Sequence, residues 1–227
     1  MSDPIVLPPR PSRRLDGRVA IVTGAGSLDD GLGNGRAISL LLASDGATVV
    51  CADQDLPSAE RTVEMIVQEE GKAVSLCADV SSEADCEKLV RAAQDMFGRL
   101  DIVVNNVGIM GAKGTAVDAS AEEWTKGLSI NVTAMMLMAK YAIPLMLKNQ
   151  PGDGRFAGFL YTPMVAGSGM SDEVRSLRRR QGLLNTEGNA WDCAAAVRFL
   201  ASDEARWITG TTMTVDAGAA CSCIMPE

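Results

Sequence analysis

The residues best placed to do chemistry lie in a glycine-rich turn, TGAGSLDDGLGNGRA, which starts at Thr23 between a strand-like run and a helix-like run. Glycine lets a backbone turn tightly and approach a ligand closely, and the N–H groups and dipole at the start of a helix attract an anion. This context predicts a phosphate-binding turn built on Gly24, Gly33 and Gly35. Asp53 follows Gly35 by eighteen residues, at the end of the next strand-like run. A carboxylate there can accept hydrogen bonds from both hydroxyls of a ribose and would repel a 2′-phosphate, which favours NAD while leaving NADP possible. The same aspartate could instead cap the following helix or belong to its turn.

Other chemistries are restricted by what the chain lacks. It has no histidine, which removes Ser-His-Asp and Cys-His nucleophilic sites and every His-based metal site, so no metal centre is expected. A tyrosine serving as general acid or base near neutral pH must have its pKa of about 10 lowered by a nearby ammonium, and a lysine four residues on along a helix supplies that. Of the two tyrosines, Tyr141 is followed at that spacing by Leu145 and Tyr161 by Val165. Lys140 is adjacent to Tyr141, but neighbouring helical residues point about 100° apart, so Tyr141 reads as an amphipathic residue on a helix surface. Cys221 and Cys223 form a CxC pair in a tail with no other ligand nearby, and the six cysteines have no framework spacing. A net charge of −8 argues against nucleic acid, and no apolar run of about 18 residues suggests a membrane span. The expectation is a cytoplasmic protein with reduced thiols.

The elements that must position these residues alternate regularly. Residues 1–17 hold four of the nine prolines and three arginines, and read as a flexible arm. From Arg18, the buried-type strand RVAIVTG leads into the helix RAISLLLASDG, closed by Gly46, and then the strand ATVVCAD. A helix over 56–71 carries Val63, Ile66 and Val67 on one face and ends at Gly71, before the strand AVSLCADV. Ser82 with Asp85 starts a capped helix whose stripe is Cys86, Leu89, Val90, Ala93 and Phe97. The strand LDIVVNNVG precedes another capped helix, from Ser120 and Glu123 through Met138, in which the methionines serve as core and interface filler. The next helix opens at Trp191 and Asp192, and TTMTVDAG reads as a last strand. Such alternation predicts an α/β fold in one domain, a doubly wound, Rossmann-like parallel sheet with ligands at the carboxyl ends of its strands.

In the order of its motifs the chain, from Arg18 to about Gly218, resembles the short-chain dehydrogenase/reductase family. Thr23-Gly24 with Gly33 and Gly35 matches Thr-Gly-x3-Gly-x-Gly, Asp79 follows the third strand, and Asn105-Asn106-Val107-Gly108 stands for Asn-Asn-Ala-Gly. Asn131, Tyr161-Thr162-Pro163-Met164, Ile208-Thr209-Gly210 and Val215-Asp216-Ala217-Gly218 complete the series. The resemblance implies that Gly24, Gly33 and Gly35 hold a diphosphate and Asp53 the adenosine ribose. Asp79 and Val80 would hold the adenine, and Asn105, Val107 and Gly108 the adenosine side and sheet wall. It also implies that Thr162 meets the nicotinamide carboxamide and that Asn131, the remaining member of an Asn-Ser-Tyr-Lys set, holds the water of a proton relay. The implied activity is hydride transfer between a nicotinamide and a small secondary alcohol or ketone.

The chain departs from that pattern in two places. Five extra residues lengthen the glycine loop between Ser27 and Gly33. More seriously, Gly154-Arg155-Phe156-Ala157 runs almost directly into Gly158-Phe159-Leu160-Tyr161-Thr162-Pro163, where the family has a strand ending in the catalytic serine, a Tyr-x-x-x-Lys helix and a further strand. By ordinary element lengths, roughly 45 to 50 residues are missing. The expectation is a domain over 18–219 whose sheet lacks two family strands, with a lid-like segment over 162–187 and a tail over 220–227. The last strand must then pair with the fourth directly or leave the sheet open. The family uses the missing helix to pair subunits, which bears on homo-oligomerisation, and the functions to weigh are an impaired oxidoreductase, an inactive nucleotide-binding or regulatory variant, and redox-neutral catalysis on the same scaffold.

Overall fold

A computed structural model describes residues 12–28, 31–149, 171–173, 176, 180 and 188–217, with the backbone of 155–157. Five parallel strands form its sheet: β1 (Val19–Thr23), β2 (Thr48–Asp53), β3 (Lys72–Cys77), β4 (Ile102–Asn105) and β5 (Arg155–Ala157), in the order β3-β2-β1-β4-β5. β1 and β4 are buried along their whole length, the pattern of strands covered on both faces, while β3 at one edge is only half covered. The register sets Thr23 beside both Ala52 and Asn105, so β1, β2 and β4 end together.

Alternating strand residues feed two cores. Ala20, Val22, Ile102 and Val104 pack with α1 (Asn34–Ser44), with Ala59 and Ile66 of α2 (Leu56–Gln68), and with α6 (Ala190–Ala201). Val19, Ile21 and Val103 pack on the other face with α3 (Glu83–Phe97) and α5 (Ala134–Met146). Ser82 caps α3 by accepting a hydrogen bond from Asp85 N, and Ser120 caps α4 (Ala121–Leu128) by accepting one from Glu123 N, as the sequence predicts. Between α4 and α5 the chain widens into one π-turn, Ser129–Thr133.

Several expectations need correction. Residues 12–17, read as the end of a loose arm, dock on the body: Leu15 is fully buried, its N–H donates to Asp45 O, and Arg13 pairs with Glu204 at 2.9 Å. One buried leucine and a paired arginine offset the ordering cost that the proline content suggested. Val67 is exposed rather than core, because the face of α2 toward the sheet is defined by Ala59, Thr62 and Ile66. The helix ends at Gln68, and the left-handed turn falls on Glu70 instead of Gly71. The predicted strand TTMTVDAG is not formed over 211–217, the part of it that is described. Direct pairing with β4, one of the two outcomes expected, is excluded because β5 takes the side of β4 away from β1.

The helical stretch Ala121–Met146 is long and apolar enough to cross a membrane by length and composition. Leu137, Met138, Ala142 and Leu145 are nevertheless packed in the second core, which a span would have to abandon. Its other side exposes Trp124, Leu128, Val132 and Met136, spaced four apart.

Candidate nucleotide-binding site

Strand order reverses direction between β1 and β4, and a crevice at such a switch point, outside the carboxyl ends of the strands, is where open α/β sheets take ligands. The sequence supplies polar groups at that point. Thr23 Oγ1 donates to Val104 O at 3.2 Å and accepts from Asn106 N at 3.1 Å. The Asn106 carboxamide donates to Thr23 O at 3.1 Å and Gly24 O at 2.9 Å, which holds the turn leaving β1. Gly24 sits at φ +64°, a left-handed conformation that favours glycine. A Cβ on Gly35 would run into the Gly24 carbonyl and come within 2.7 Å of Asn106 Nδ2, so α1 starts as close to the β1 turn as a backbone can.

Gly33 is the N-cap of α1, and no side chain caps the helix there. The first-turn N–H groups have no intrahelical acceptors, and together with the helix dipole they suit an anion. Asp53 Oδ2 accepts from Gly26 N at 2.9 Å and its Oδ1 accepts from Asp55 N at 3.1 Å, so the carboxylate also ties the glycine loop to the end of β2. Ala78 N donates to Asp53 O at 3.0 Å, which brings the turn after β3 alongside. In that turn Asp79 Oδ1 accepts from Ser81 N and Oγ, at 2.9 and 2.7 Å, and Val80 is buried. Across the switch point, Asn105 Nδ2 and Asn106 Oδ1 are buried polar atoms without a hydrogen-bond partner among the described residues. Two orphaned polar atoms, an uncapped helix start and a turn without room for a Cβ fit a dinucleotide.

Asn131 lies in the π-turn, and such wide turns often re-aim a side chain at a functional site. Its Oδ1 accepts from Ile109 N and its Nδ2 donates to Ile109 O, both at 2.8 Å. The carboxamide therefore holds the segment after β4, where Val107 packs against the second core and Gly108 passes close to Asn131. The structure thus brings Gly24, Gly33, Gly35, Asp53, Asn105, Val107 and Gly108 to one end of the sheet, with Asp79 and Val80 one strand further out. Thr162 and nearly all of the lid-like segment lie outside the described residues.

Sequence reasoning did not single out Gly26, Ser27, Arg36, Ser58 or Thr62. Ser27 N donates to Ser58 Oγ at 2.8 Å, Ser58 Oγ donates to Ser27 O at 2.7 Å, and Gly33 N donates to Ser27 Oγ at 3.0 Å. The available signal was a serine and a threonine four residues apart on the inward face of α2, where apolar residues would otherwise stand.

Tyr141 and Lys140 of α5 both reach Glu83, the first residue of α3. Tyr141 Oη donates to Glu83 Oε1 at 2.8 Å, Lys140 Nζ donates to the same oxygen at 2.5 Å, and Lys140 Nζ lies 5.2 Å from the Tyr141 ring centroid. The ammonium does approach the phenol, yet the carboxylate dominates. The hydrogen bond to Glu83 raises the phenol above its ordinary value, and the lowering influence of Lys140 is smaller. Glu83 is correspondingly lowered, by its hydrogen bonds from Lys140 and then Tyr141, and Lys140 is raised by Glu83.

The sequence pattern described as enoyl-(acyl carrier protein) reductase matches the chain in two blocks, residues 30–155 and 156–220. Glucose 1-dehydrogenase 2 of Bacillus subtilis is 31% identical over 250 aligned positions, which cover 90% of this chain and 95% of that protein. 2-(S)-hydroxypropyl-CoM dehydrogenase 3 of Xanthobacter autotrophicus is 29% identical over 256 positions, covering 91% and 98%. Both alignments are longer than this 227-residue chain. Among solved structures, hydroxysteroid dehydrogenase from Escherichia coli superposes with a TM-score of 0.72 at 28% identity, covering 91% of this chain and 98% of that one.

Proposed function

Because the chain belongs to the short-chain dehydrogenase/reductase family of oxidoreductases, we propose that it keeps the family's nucleotide site while its own hydride transfer between a nicotinamide and a small secondary alcohol or ketone is impaired. The observation that carries this reading is the state of Tyr141, whose hydroxyl is committed to a carboxylate and shifted away from neutrality. A carbonyl being reduced needs a proton from a group whose pKa lies near the working pH, and a phenol pushed upward is a poor donor. A missing Ser and Tyr-x-x-x-Lys segment is supported by the two blocks of the family match, which meet between Arg155 and Phe156, and by alignments longer than the chain.

Gly24, Gly33 and Gly35 would hold the diphosphate, Asp53 the adenosine ribose, Asp79 and Val80 the adenine, and Asn105, Val107 and Gly108 the wall beside it. Thr162 would meet the nicotinamide carboxamide. Asp53 favours NAD over NADP, since its carboxylate would face a 2′-phosphate. When bound, the nicotinamide supplies or accepts the hydride. Asn131 keeps the segment after β4 in place and would set the position of a relay water. We place the protein in the cytoplasm, in keeping with free thiols at Cys51, Cys77, Cys86 and Cys193. The exposed apolar side of Ala121–Met146 is a surface through which homo-oligomers could form.

Thermal unfolding with NAD or NADP and an assay of NADH oxidation against a panel of ketones test the reading. NAD should stabilise more than NADP, up to about 2.7 kcal/mol at 100 times its Kd, with ketone-dependent oxidation no faster than a slow residual rate. Sustained ketone reduction by the same chain would overturn the impairment, and absence of any nucleotide effect would overturn the site. An impaired enzyme and a regulatory binding protein separate in the same assay, because only the former leaves a slow residual rate.

A further inference from the structure

Arg36 is fully buried in the first turn of α1, the largest of the completely covered side chains. Its Nε donates to Thr62 Oγ1 at 3.0 Å, its Nη1 to Gly31 O at 2.5 Å, and its Nη2 to Ser58 O at 3.5 Å, the limit of a hydrogen bond. Thr62 Oγ1 in turn donates to Ala25 O at 2.8 Å. One guanidinium therefore engages the lengthened loop at Gly31 directly, its near end at Ala25 through Thr62, and α2 at Ser58 and Thr62.

Stability alone does not account for this placement. A cation in the first turn of a helix opposes the helix dipole, and burying a charge commonly costs as much as its contacts return. Both objections weaken when an anion arrives at the start of the same helix, since the dipole and the guanidinium then act on it with the same sign. Arginine's rigid, planar fork also sends its donors in fixed directions, which a flexible ammonium does not.

We propose that Arg36 is a positioning residue that holds the lengthened glycine loop against α2 in the shape that receives the nucleotide diphosphate. This rests on the nucleotide-binding reading above. The described ends of the loop, residues 25–28 and Gly31, lie between the β1 turn and α1, and Ser27 Oγ accepts from N-cap Gly33 N, so a loop released from Arg36 disturbs the helix start that would face the diphosphate. Of the groups that would hold the adenosine, Asp79 bonds Ser81 outside the loop and keeps its place, and Asp53 loses at most its bond from Gly26 N while Asp55 N still orients its other oxygen.

The test compares the full chain with Arg36→Lys and with Thr62→Val, a nearly isosteric change that removes the same relay, using NAD, ADP-ribose and adenosine as probes. Calorimetry reads the first two, ligand-observed NMR the third, and circular dichroism checks folding. Losing charged hydrogen bonds that shape the loop should weaken NAD and ADP-ribose about tenfold in both variants, with adenosine changed less than about twofold. If Arg36→Lys does not fold, Thr62→Val alone reads the same difference. Equal binding of all three probes by wild type and variants, or adenosine falling in step with ADP-ribose, overturns the proposal and leaves the nucleotide site standing. An unaltered chain that binds none of the three overturns the site and this inference together.

Discussion

Replacing Gly35 with alanine perturbs the closest approach in the site. The added Cβ would press into the Gly24 carbonyl and stand 2.7 Å from both Gly24 C and Asn106 Nδ2. Ordinary contact begins near 3.5 Å, so α1 or the β1 turn must move by about 0.8 Å or more. The neighbours cannot yield cheaply, because one is backbone and Asn106 is itself bonded to Thr23 O and Gly24 O. Overpacking of this kind costs about 3 kcal/mol, which for a chain of this size lowers Tm by roughly 6 to 12 °C. Gly33→Ala is the control. Its Cβ meets the Ser27 side chain, at 3.1 Å from Oγ, and the Gly26 carbonyl only at an ordinary 3.6 Å, and φ is −77°, so the expected cost is below about 1 kcal/mol. Thermal unfolding followed by far-ultraviolet circular dichroism separates the two. A Gly35→Ala protein within about 2 °C of wild type, or a Gly33→Ala protein that loses more, would refute the argument from close approach.

Leu15→Ala should cost about 2 to 5 kcal/mol in denaturant titration, since Leu15 is fully buried in the first core, and a loss below about 0.5 kcal/mol would return residues 12–17 to a loose arm. Glu83→Gln removes the acceptor shared by Lys140 and Tyr141. Glu83 is lowered, so its contribution holds above its unfolded pKa and fades as pH falls through the folded one. Lys140 is raised, so its contribution fades only as pH rises through its folded value. The Tm difference between wild type and variant should therefore stay flat from about pH 5 to 9 and close below about pH 4, and a gap that widens in acid would contradict it. Burial pushes the Cys51 thiol up to about 12, so native alkylation at pH 8 read by mass spectrometry should mark exposed Cys77 and spare Cys51.

Periodicity and caps made most of the sheet and helices legible. The continuous apolar runs at β1 and β4 marked central parallel strands, and the Ser82 and Ser120 caps located two helix starts. The glycine turn and Asp53 were readable because strand, turn, helix and acid follow one another in sequence. Leu15 was hidden by surrounding prolines and arginines, and it is buried in a core assembled from distant elements, with its N–H held by Asp45 O and neighbouring Arg13 by Glu204. The absence of a strand over 211–217 also lies beyond local reading, because β propensity is realised only where tertiary packing brings the segment onto a partner. Arg36, Ser58 and Thr62 escaped notice since a polar network reveals itself only when partners from α1, α2 and the loop meet. Tyr141 was correctly placed on a helix surface, but its partner Glu83, on another helix, was beyond local reading.

Ultraviolet titration of the native protein at the phenolate band tests most directly whether the chain holds an acidified tyrosine. Tyr141 should ionise above the ordinary phenol value near 10, held up by its hydrogen bond to Glu83. A phenolate appearing between about pH 6 and 8, with or without NAD, would contradict the account and restore a working proton donor.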